Sequence, residues 1–529
     1  MKLKTAAFFL AFTLPASLFA LEIQEGKNYL ISNLVETSHF IRDTGTLTFG
    51  SPAENALWRF ISTGKPDCYH IQNVATGNYM QTSTTVDVAV RTGNTPLEYC
   101  VKLDRSGGST NGYWSFASTD QNRYDFTSGE TIGLNDNVNG YVAGFAAQQG
   151  VNRRSFWMME EASDEIPDED LSDLDKVYYN PVIYTGVPDP TVIRGHDGYY
   201  YLYATENPTR NVPIYRSKDL VNWTLKGTVF TEGNRPTFVE SFDNAPARVW
   251  APDINYVDGK YYLYYSMSRW GSEWECGIGV ATADSPEGPF TNHGKMFISS
   301  EMNTQNSIDP FFIEEGGKKY LFWGSFSGIW GAELSDDGME VKRETVTKVA
   351  GTLIEGTYIA KHDGYYYLIG SAGTCCDGER STYHLVMARS ENLMGPYVDK
   401  DGGAALDNRF SHLLYRSEAV IGPGHNAGFV EDDANQTWML YHGFQADNPD
   451  DGRVAYLDRI YWTESGWPSV KGLQPSTAAL KPVIYDDVNT SVEFNKMDNG
   501  DNSVYNIQGQ KVDDTYKGIV IRDRKKIKQ

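Results

Sequence analysis

Five polar side chains in this 529-residue chain have the types that acid–base hydrolysis requires, and each opens a similar strand-forming pattern: Asp189, Asp253, Asp309, Glu355 and His425. Hydrolysis of a glycosidic bond needs one carboxylate that takes a proton from water and one carboxylic acid that protonates the leaving oxygen. A third acid nearby raises the pKa of the proton donor, because like charges resist joint ionisation. The set therefore predicts a glycosidase, provided that the fold brings its members together.

Each of these residues also has a purely structural interpretation. Asp189 and Asp309 both precede a proline, and Asp-Pro is a common turn initiator. Asp253, in the sequence WAPD, could bond neighbouring backbone amides, and His425 could serve only as a hydrogen-bonding group. A structural interpretation is harder for Glu355, because it lies in an apolar context, where desolvating a carboxylate is costly. The predicted chemistry therefore depends on a common placement of all five residues.

A sequence repeat predicts that common placement. The segments 188–204, 251–266, 308–324, 353–373 and 424–443 each combine a leading polar residue, a β-prone run, a turn and an aromatic run. The leading residues are 46–70 positions apart, which is enough for one sheet of about four strands. Five such sheets around one axis predict a five-bladed β-propeller over residues 177–482. Separate blades can hold carboxyl groups roughly 6.5–9.5 Å apart, the spacing of an inverting glycosidase.

Residues 21–163 carry a different repeat, with strand–turn–strand units at 26–33, 68–82 and 112–126. Three such units predict a β-trefoil, and the phrase YHIQNVATGNYM resembles the ricin-type lectin module, which implies glycan binding. The Gln-x-Trp signature of that module is absent, so an accessory β domain without a ligand is the alternative. The chain is thus predicted to be all-β, with a β-trefoil before the propeller and a short β tail after it.

Export is predicted from residues 1–20, which combine Lys2 and Lys4 with a short apolar run and small residues before Ala20, as in a cleaved signal peptide. No apolar segment is long enough to span a bilayer.

Residues 164–176 are predicted to form a solvated acidic linker. Residues 483–529 resemble the C-terminal segments of secreted proteins from Bacteroidetes, which implies export or attachment. We therefore expect a secreted, periplasmic or cell-surface bacterial protein.

Charge and cysteine content restrict the partners. The formal net charge of −23 argues against nucleic acid or an anionic membrane, since the long-range field would repel both. A neutral plant cell-wall polysaccharide or oligosaccharide meets no such repulsion. The five cysteines have no metal-ligand spacing, so a structural zinc is not expected, and we expect them mostly to pack as small apolar groups. The protein is expected to be a monomer.

Several short motifs together resemble one enzyme family. PDP, VWAPDI, NSIDP, IEG and GPGHN, in this order and spacing, resemble glycoside hydrolase family 43, and GSFSGIW, GTCCDGERSTY, RVAYLDRIYW and GWP resemble its arabinanases. The resemblance implies that Asp189 is the general base, that Glu355 is the general acid and that Asp309 tunes and orients the acid. It also implies that His425 supports a calcium ion on the propeller axis. Calcium prefers oxygen ligands, so water would then supply many of them.

The substrate that this resemblance implies is α-1,5-linked arabinan or arabino-oligosaccharide. Trp250, Phe326 and Trp330 are candidates to stack on sugar rings, and Asp253 is a further candidate for substrate binding, whereas packing within the blades is the alternative for the aromatic residues. Gly356 follows the acid where arabinanases commonly carry Ala, and the Glu-Gly form also occurs in xylosidase-like and galactosidase-like members. Two alternatives stay open: an exo-acting arabinofuranosidase, xylosidase or galactosidase, and a non-catalytic glycan-binding protein.

Overall fold

Five antiparallel sheets of similar construction form the largest part of the protein. The structure, a computed structural model, describes residues 23–33, 40–50, 52, 54–81, 88–104, 113–118, 124–125, 130–137, 141–146, 157–162, 166, 169–485, 504–506, 511–512, 519–522 and 525–528. In each of the five sheets the four main strands are hydrogen-bonded in chain order, and each sheet is one blade. The predicted all-β chain with a five-bladed propeller is therefore confirmed.

The strands of the blades follow one another without interruption by other sheets. They are, for blade I, Thr191–Arg194, Tyr200–Tyr203, Asn211–Ser217 and Trp223–Phe230; for blade II, Arg248–Val257, Lys260–Ser268, Gly277–Ala283 and Thr291–Ile298; for blade III, Phe311–Glu315, Lys318–Trp323, Ile329–Glu333 and Thr347–Ala350; for blade IV, Ile354–His362, Tyr365–Ala372, His384–Ser390 and Ser411–Leu414; and for blade V, Val420–Gly424, Thr437–Gln445, Val454–Trp462 and Pro468–Ser469. Val430–Glu431 also pairs with the second strand of blade V.

Helices are short wherever the structure describes the chain. One α-helical turn, Ser299–Met302, leads from blade II to blade III. The remaining helices are single 3-10 turns: Glu54–Ala56, Leu174–Lys176, Arg343–Thr345, Gly378–Arg380, Ala405–Asp407, Pro449–Asp451 and Lys471–Leu473.

Local sequence explains the first hairpin of blades II and IV. Asp258 and Gly259 have φ values of 49° and 86°, and Asp363 and Gly364 have values of 45° and 83°. Two consecutive residues with positive φ make the tight turn whose twist matches paired strands, and Asp-Gly is a favoured sequence for it. The aromatic second strands that follow are buried because neighbouring blades cover both of their faces.

The propeller is closed by non-covalent contacts of its first residues with blade V and with the strand that follows blade V. Val177–Tyr179 pairs with Ala478–Leu480, and the backbone of Ile183 bridges to that of Ala455. The Tyr178 hydroxyl donates to the Leu457 carbonyl at 2.5 Å. The ends of the domain are thus joined through the last blade.

The acidic segment 164–176 is not solvated along its whole length. Glu169 accepts hydrogen bonds from the Tyr461 hydroxyl at 2.9 Å and from the Leu480 backbone at 3.1 Å. The Lys481 backbone donates to the carbonyl of Lys176. Glu169 and the Lys176 carbonyl therefore tie the segment to the propeller, whereas residues 172–176 are exposed as predicted.

The described part of the N-terminal module consists of strands and turns, with one 3-10 turn at Glu54–Ala56. Its strands are Asn28–Asn33, Phe40–Asp43, Leu47–Gly50, Leu57–Ser62, Cys68–Asn73, Tyr79–Met80, Thr92–Gly93, Glu98–Asp104, Tyr113–Ser118, Tyr124–Asp125, Glu130–Asn137, Tyr141–Ala146 and Trp157–Glu161. Six of them pair in a closed ring: Asn28–Asn33, Leu57–Ser62, Cys68–Asn73, Glu98–Asp104, Tyr113–Ser118 and Trp157–Glu161. The remaining strands pair largely with one another as hairpins. The trefoil assignment and its glycan site stay predictions.

The N-terminal module packs directly on the propeller. Leu30, Phe40 and Ala56 form one buried cluster with Tyr415 and Leu473 of the propeller domain. The rings of Phe40 and Tyr415 meet edge to face, with centroids 4.6 Å apart. Such a dry aromatic contact between modules indicates a fixed attachment rather than a free tether.

The expectation that the cysteines mostly pack as small apolar groups is wrong for four of the five. Cys68 and Cys100 stand directly opposite each other on paired strands and form a disulfide, and the adjacent Cys375 and Cys376 form another. Cys276 is a free, buried thiol. The first pair lies 32 residues apart in sequence, so only the strand register brings its sulfur atoms together.

The C-terminal tail is a separate unit, residues 484–529. Its described strands, Val504–Asn506, Lys511–Val512, Ile519–Arg522 and Lys525–Lys528, form one antiparallel sheet, as the predicted β tail requires. The predicted signal peptide, residues 1–20, lies outside the described residues. Among the helices that the structure describes, none is long and apolar enough to cross a membrane.

Candidate active site

The predicted site residues gather where the first strands of the blades begin or bend. At this level each blade places one residue in the left-handed backbone region, with φ between 37° and 60°: Asp189, Ala251, Asp309, Gly356 and His425. Residues other than glycine are disfavoured in this region, and such strain concentrates at functional sites. The repeated distortion marks one common level in the five blades.

Asp189 is held by groups from three directions. The Arg453 guanidinium donates to its Oδ1 at 3.0 Å and the Thr205 hydroxyl donates to its Oδ2 at 2.5 Å. The Nδ1 atoms of His425 and His442 lie 3.3 and 3.4 Å from Oδ1. Burial would raise the pKa of the Asp189 carboxyl, but the Arg453 charge and the Thr205 hydrogen bond hold it well below its usual range. Asp189 is therefore a carboxylate at neutral pH.

Glu355 is buried and accepts two hydrogen bonds. Ser325 donates to its Oε2 at 2.6 Å and the Tyr383 hydroxyl donates to its Oε1 at 2.8 Å. Burial raises the pKa of the Glu355 carboxyl, although both donors favour the ionised form and lower it. The net direction is upward, as a proton donor at neutral pH requires.

Asp309 lies beside Glu355 and is tied to its backbone. The N–H of Gly356 donates to Asp309 Oδ2 at 3.1 Å. Burial, and next the charge of Glu355, raise the pKa of Asp309 well above its usual range. Because two neighbouring buried carboxyls cannot both ionise easily, the pair retains one proton while Asp189 is ionised. The site thus contains a proton acceptor and a proton-holding pair.

Several residues that complete this arrangement were not predicted. Arg453, Tyr383 and Ser325 occur within quoted motifs, and Thr205 and His442 end aromatic runs of the repeat. Arg453 reaches Asp189 across 264 residues, and Ser325 reaches Glu355 across a blade boundary. One sequence signal could have found Thr205 and His442, because a polar residue stands at the end of each aromatic run of the repeat.

Asp253 lies on the first strand of blade II, two residues after the positive-φ residue Ala251. Its Oδ2 accepts hydrogen bonds from the Phe312 backbone and from the Asn255 amide, both at 2.7 Å. Burial raises the pKa of Asp253 to about 7. It lines a cavity of about 770 Å³ formed by later parts of the first strands, including Phe312 and Tyr358. The predicted role of Asp253 in substrate binding stays a prediction, although its contacts suit a structural role.

A small chamber adjoins that cavity, and Asp253 lines both. Its volume is about 20 Å³, and its lining includes Asp309, Thr357, His425 and Asn426. Thr357 Oγ1 and Asn426 Oδ1 are buried without a hydrogen-bond partner in the described part of the chain. Because buried oxygen atoms normally have partners, these two could bind a water molecule or a hard cation.

No group of three or more His, Cys, Asp or Glu side chains that could hold a metal occurs among the described residues. Burial lowers the pKa of His425, which opposes the raising effect of Asp189, so its imidazole is neutral. The protein ligands of a cation at this place would therefore be neutral oxygen atoms and an imidazole. Most ligands of a calcium ion at this place would be water.

The three predicted sugar-stacking aromatics lie in different surroundings. Phe326 is 38% exposed and follows Ser325, which bonds Glu355, so it borders the acid. Trp250 precedes Ala251, whose N–H donates to Thr205, and contacts the strongly exposed Trp270 at 5.7 Å between ring centroids. Trp330 instead packs in the cluster between blades II and III. Phe326 and Trp250 thus adjoin residues that bond Glu355 and Thr205, whereas Trp330 packs among core residues, and sugar stacking by the three stays a prediction.

Known proteins resemble the region that carries this site. The sequence model of the family Glycosyl hydrolases family 43 matches residues 178–468. The chain is 32% identical over 288 residues to an extracellular endo-α-(1→5)-L-arabinanase of Bacillus subtilis, covering 53% of this chain and 86% of that protein. It is 31% identical over 312 residues to an extracellular exo-α-(1→5)-L-arabinofuranosidase of Cellvibrio japonicus, covering 54% of this chain and 86% of that protein. A solved α-L-arabinanase of Cellvibrio cellulosa, complexed with arabinohexaose, has a TM-score of 0.49 and 30% identity, covering 54% of this chain and 95% of that chain.

Proposed function

Because this chain belongs to glycosyl hydrolases family 43, we propose that it hydrolyses α-1,5-linked arabinan or arabino-oligosaccharides with inversion at the anomeric carbon. The substrate rests on the relatives, which are named for action on such linkages. The observation that carries the mechanism is the contrast between the carboxyls: the pKa of buried Asp189 is lowered, whereas the pKa values of Glu355 and Asp309 are raised. Opposite shifts in one site support Asp189 as the base and Glu355 as the acid.

In the proposed reaction, the Asp189 carboxylate accepts a proton from a water molecule whose oxygen bonds to the anomeric carbon. The bond between that carbon and the glycosidic oxygen breaks, and Glu355 donates its proton to the departing oxygen. Asp309 keeps a proton on the Asp309–Glu355 pair before the reaction because the two carboxyls repel when both are ionised. Proton exchange with solvent then returns Asp189 to its ionised state and Glu355 to its protonated state.

The residues around the acid and base fix their orientation. Arg453 and Thr205 occupy the two oxygens of Asp189, so the carboxylate cannot rotate freely. Ser325 and Tyr383 do the same for Glu355. Such preorientation lowers the entropic cost of reaching the reactive geometry.

Exo action is the second candidate, since one relative is named as an exo-acting arabinofuranosidase. The two modes leave different products from the same linear arabinan. Endo action releases a series of oligosaccharides from the start, whereas exo action releases one short product. Chromatography of early products from linear arabinan, arabinoxylan and galactan decides both the mode and the sugar.

Calcium is proposed as the ion that binds in the small chamber of about 20 Å³. Thr357 Oγ1, Asn426 Oδ1 and His425 are the residues that would hold it, and the two buried oxygens without partners support this. When bound, the ion would supply positive charge to the chamber that Asp309 lines. Titration calorimetry with calcium should detect binding to the wild-type protein and weaker binding to Asn426→Ala. Equal binding by the two proteins would count against this chamber as the site.

We also propose that the protein acts after export, since relatives are named extracellular. The N-terminal module is proposed to bind plant glycans weakly. A pull-down of the full-length Glu355→Ala variant with insoluble arabinan or other cell-wall polysaccharide tests retention without hydrolysis. No retention on any of these polymers would leave the module as a structural support of the propeller.

Glu355→Ala tests the enzymatic assignment. Loss of a general acid typically lowers the rate by about 10²–10⁴-fold, so kcat on linear arabinan should fall within or beyond this range. Glu391→Ala is the matched control, because Glu391 is an exposed glutamate of the same blade. A Glu355→Ala variant with wild-type rates on every substrate that the wild type cleaves would overturn the proposed mechanism.

A further inference from the structure

The first strand of each blade faces the propeller axis, so one of its edges has no neighbouring strand. Backbone N–H groups along such an edge need acceptors from side chains when they are buried. The need is greatest at the five residues with positive φ, because their distorted backbone leaves the regular pairing of the sheet. The contacts made there decide how firmly the catalytic level is held.

One polar residue near the C-terminal end of each second strand supplies these contacts. The five residues are buried, and we call them the inter-blade ring: Thr205, Ser266, Ser325, Ser371 and His442. Thr205, Ser325 and Ser371 each follow the acid of their own blade by 16 residues, at Asp189, Asp309 and Glu355. The ring therefore belongs to the same repeat as the catalytic set.

Four ring members accept a hydrogen bond from the positive-φ residue of the next blade around the ring. The distances are 2.8 Å from Ala251 N to Thr205 Oγ1, 2.8 Å from Asp309 N to Ser266 Oγ, 2.8 Å from His425 N to Ser371 Oγ and 3.0 Å from Asp189 N to His442 Nδ1. Each bond crosses a blade boundary. The positions of Asp189, Asp309 and His425 are thereby fixed by the preceding blades.

The fifth ring member acts on a side chain instead. Ser325 of blade III donates to the carboxyl of Glu355 in blade IV at 2.6 Å. The N–H of Gly356 is then satisfied by Asp309 at 3.1 Å. This one exception falls at the acid, where a hydroxyl hydrogen bond acts directly on the reacting carboxyl.

We propose that the inter-blade ring is a set of positioning residues that sets the spacing of the base, the acid and the tuning carboxyl across blade boundaries. The inference rests on the proposed function, since it assigns the ring to that same site. Ser266 is the clearest case, because its hydroxyl bonds the Asp309 backbone rather than a catalytic carboxyl. Asp309 in turn bonds the residue after the acid, so a shift of Asp309 is transmitted to Glu355.

Ser266→Ala tests the proposal. The substitution leaves a buried N–H unsatisfied at a strained residue, and misplacing a catalytic group by about 1 Å can cost roughly 10²-fold in rate. We expect kcat on arabino-oligosaccharide to fall roughly ten-fold or more, with KM nearly unchanged. The alkaline limb of the pH profile should also move, because Asp309 tunes the acid. Ser266→Thr should restore much of kcat, since blade I carries Thr205 at the equivalent position.

Ser268→Ala is the matched control, because Ser268 is a buried serine of the same strand that bonds no residue of the ring or the catalytic set through its hydroxyl in the described contacts. Equal changes in kcat, KM and unfolding temperature for Ser266→Ala and Ser268→Ala would overturn the proposal. If Ser266→Ala does not fold, Ser371→Ala provides the same comparison at His425. A wild-type protein that cleaves only aryl glycosides would refute the arabinan substrate, while the ratios of variant to wild-type rates would still test the ring.

Discussion

Replacing Tyr383 by phenylalanine removes one of the two hydrogen bonds that Glu355 accepts, the one of 2.8 Å to Oε1. The substitution leaves the aromatic ring of residue 383 in place. The phenol favours the ionised carboxylate, so its loss should raise the pKa of Glu355. Because Glu355 must be protonated to act as the acid, the alkaline limb of kcat/KM should move to higher pH.

The size of this shift follows from the hydrogen bond. A bond to a charged group contributes about 1.5–3 kcal/mol, and one pKa unit corresponds to about 1.4 kcal/mol. The remaining Ser325 hydroxyl keeps one donor on the carboxylate, and solvent can replace part of the lost bond. We therefore expect the lower end of the range, an upward shift of about one pH unit.

The assay is the pH dependence of kcat/KM on arabino-oligosaccharide for wild type, Tyr383→Phe and Tyr397→Phe. Tyr397 is the control, because its buried hydroxyl donates to the Leu393 carbonyl and not to the site. Its profile should coincide with that of the wild type. An alkaline limb of Tyr383→Phe that stays in place or moves to lower pH would refute the assignment of Tyr383 as a donor to the acid.

Three further predictions concern groups outside the acid and base. Burial raises the pKa of Asp458 to about 7, whereas the same carboxyl in the unfolded chain loses its proton above pH ~4. The stability of the folded protein therefore falls as the pH rises between these two values. Asp458→Asn should raise the unfolding temperature at pH 8 and change it little at pH 4.5. Phe40→Ala removes the aromatic contact with Tyr415 and should cost about 3–5 kcal/mol of stability in chemical denaturation; an unchanged midpoint would argue against a fixed N-terminal module. Asp253→Asn retains an acceptor for the Phe312 backbone and should keep its activity, whereas Asp253→Ala should lose it; a raised KM in both variants would instead favour a substrate contact.

The blades were predictable because their signal is local and repeated. Asp363 and Gly364 specify a tight turn between two β-prone runs, and the same layout recurs five times. The repeat also predicts that Asp189, Asp309 and Glu355 share one level, since equivalent strand ends surround one axis. Register between blades was not needed for this inference.

The partners of the carboxyls were not predictable from the same evidence. Arg453 follows Asp189 by 264 residues, and only closure of the ring between blades I and V brings them together. Cys68 and Cys100 likewise pair through strand register. The placement of Asp253 depends on the bulge after Trp250, where the strand register shifts. Contacts of this kind are set by packing between elements, which sequence spacing does not record.

The most direct test of the catalytic account is the anomeric configuration of the first product, followed by proton NMR during hydrolysis of an α-1,5-linked arabino-oligosaccharide by the wild-type protein. Direct attack by water activated at Asp189 predicts that the β anomer of the new reducing end appears first and then converts to the α anomer by mutarotation. Initial appearance of the α anomer would mean retention through a covalent intermediate, and it would contradict the roles assigned to Asp189 and Glu355.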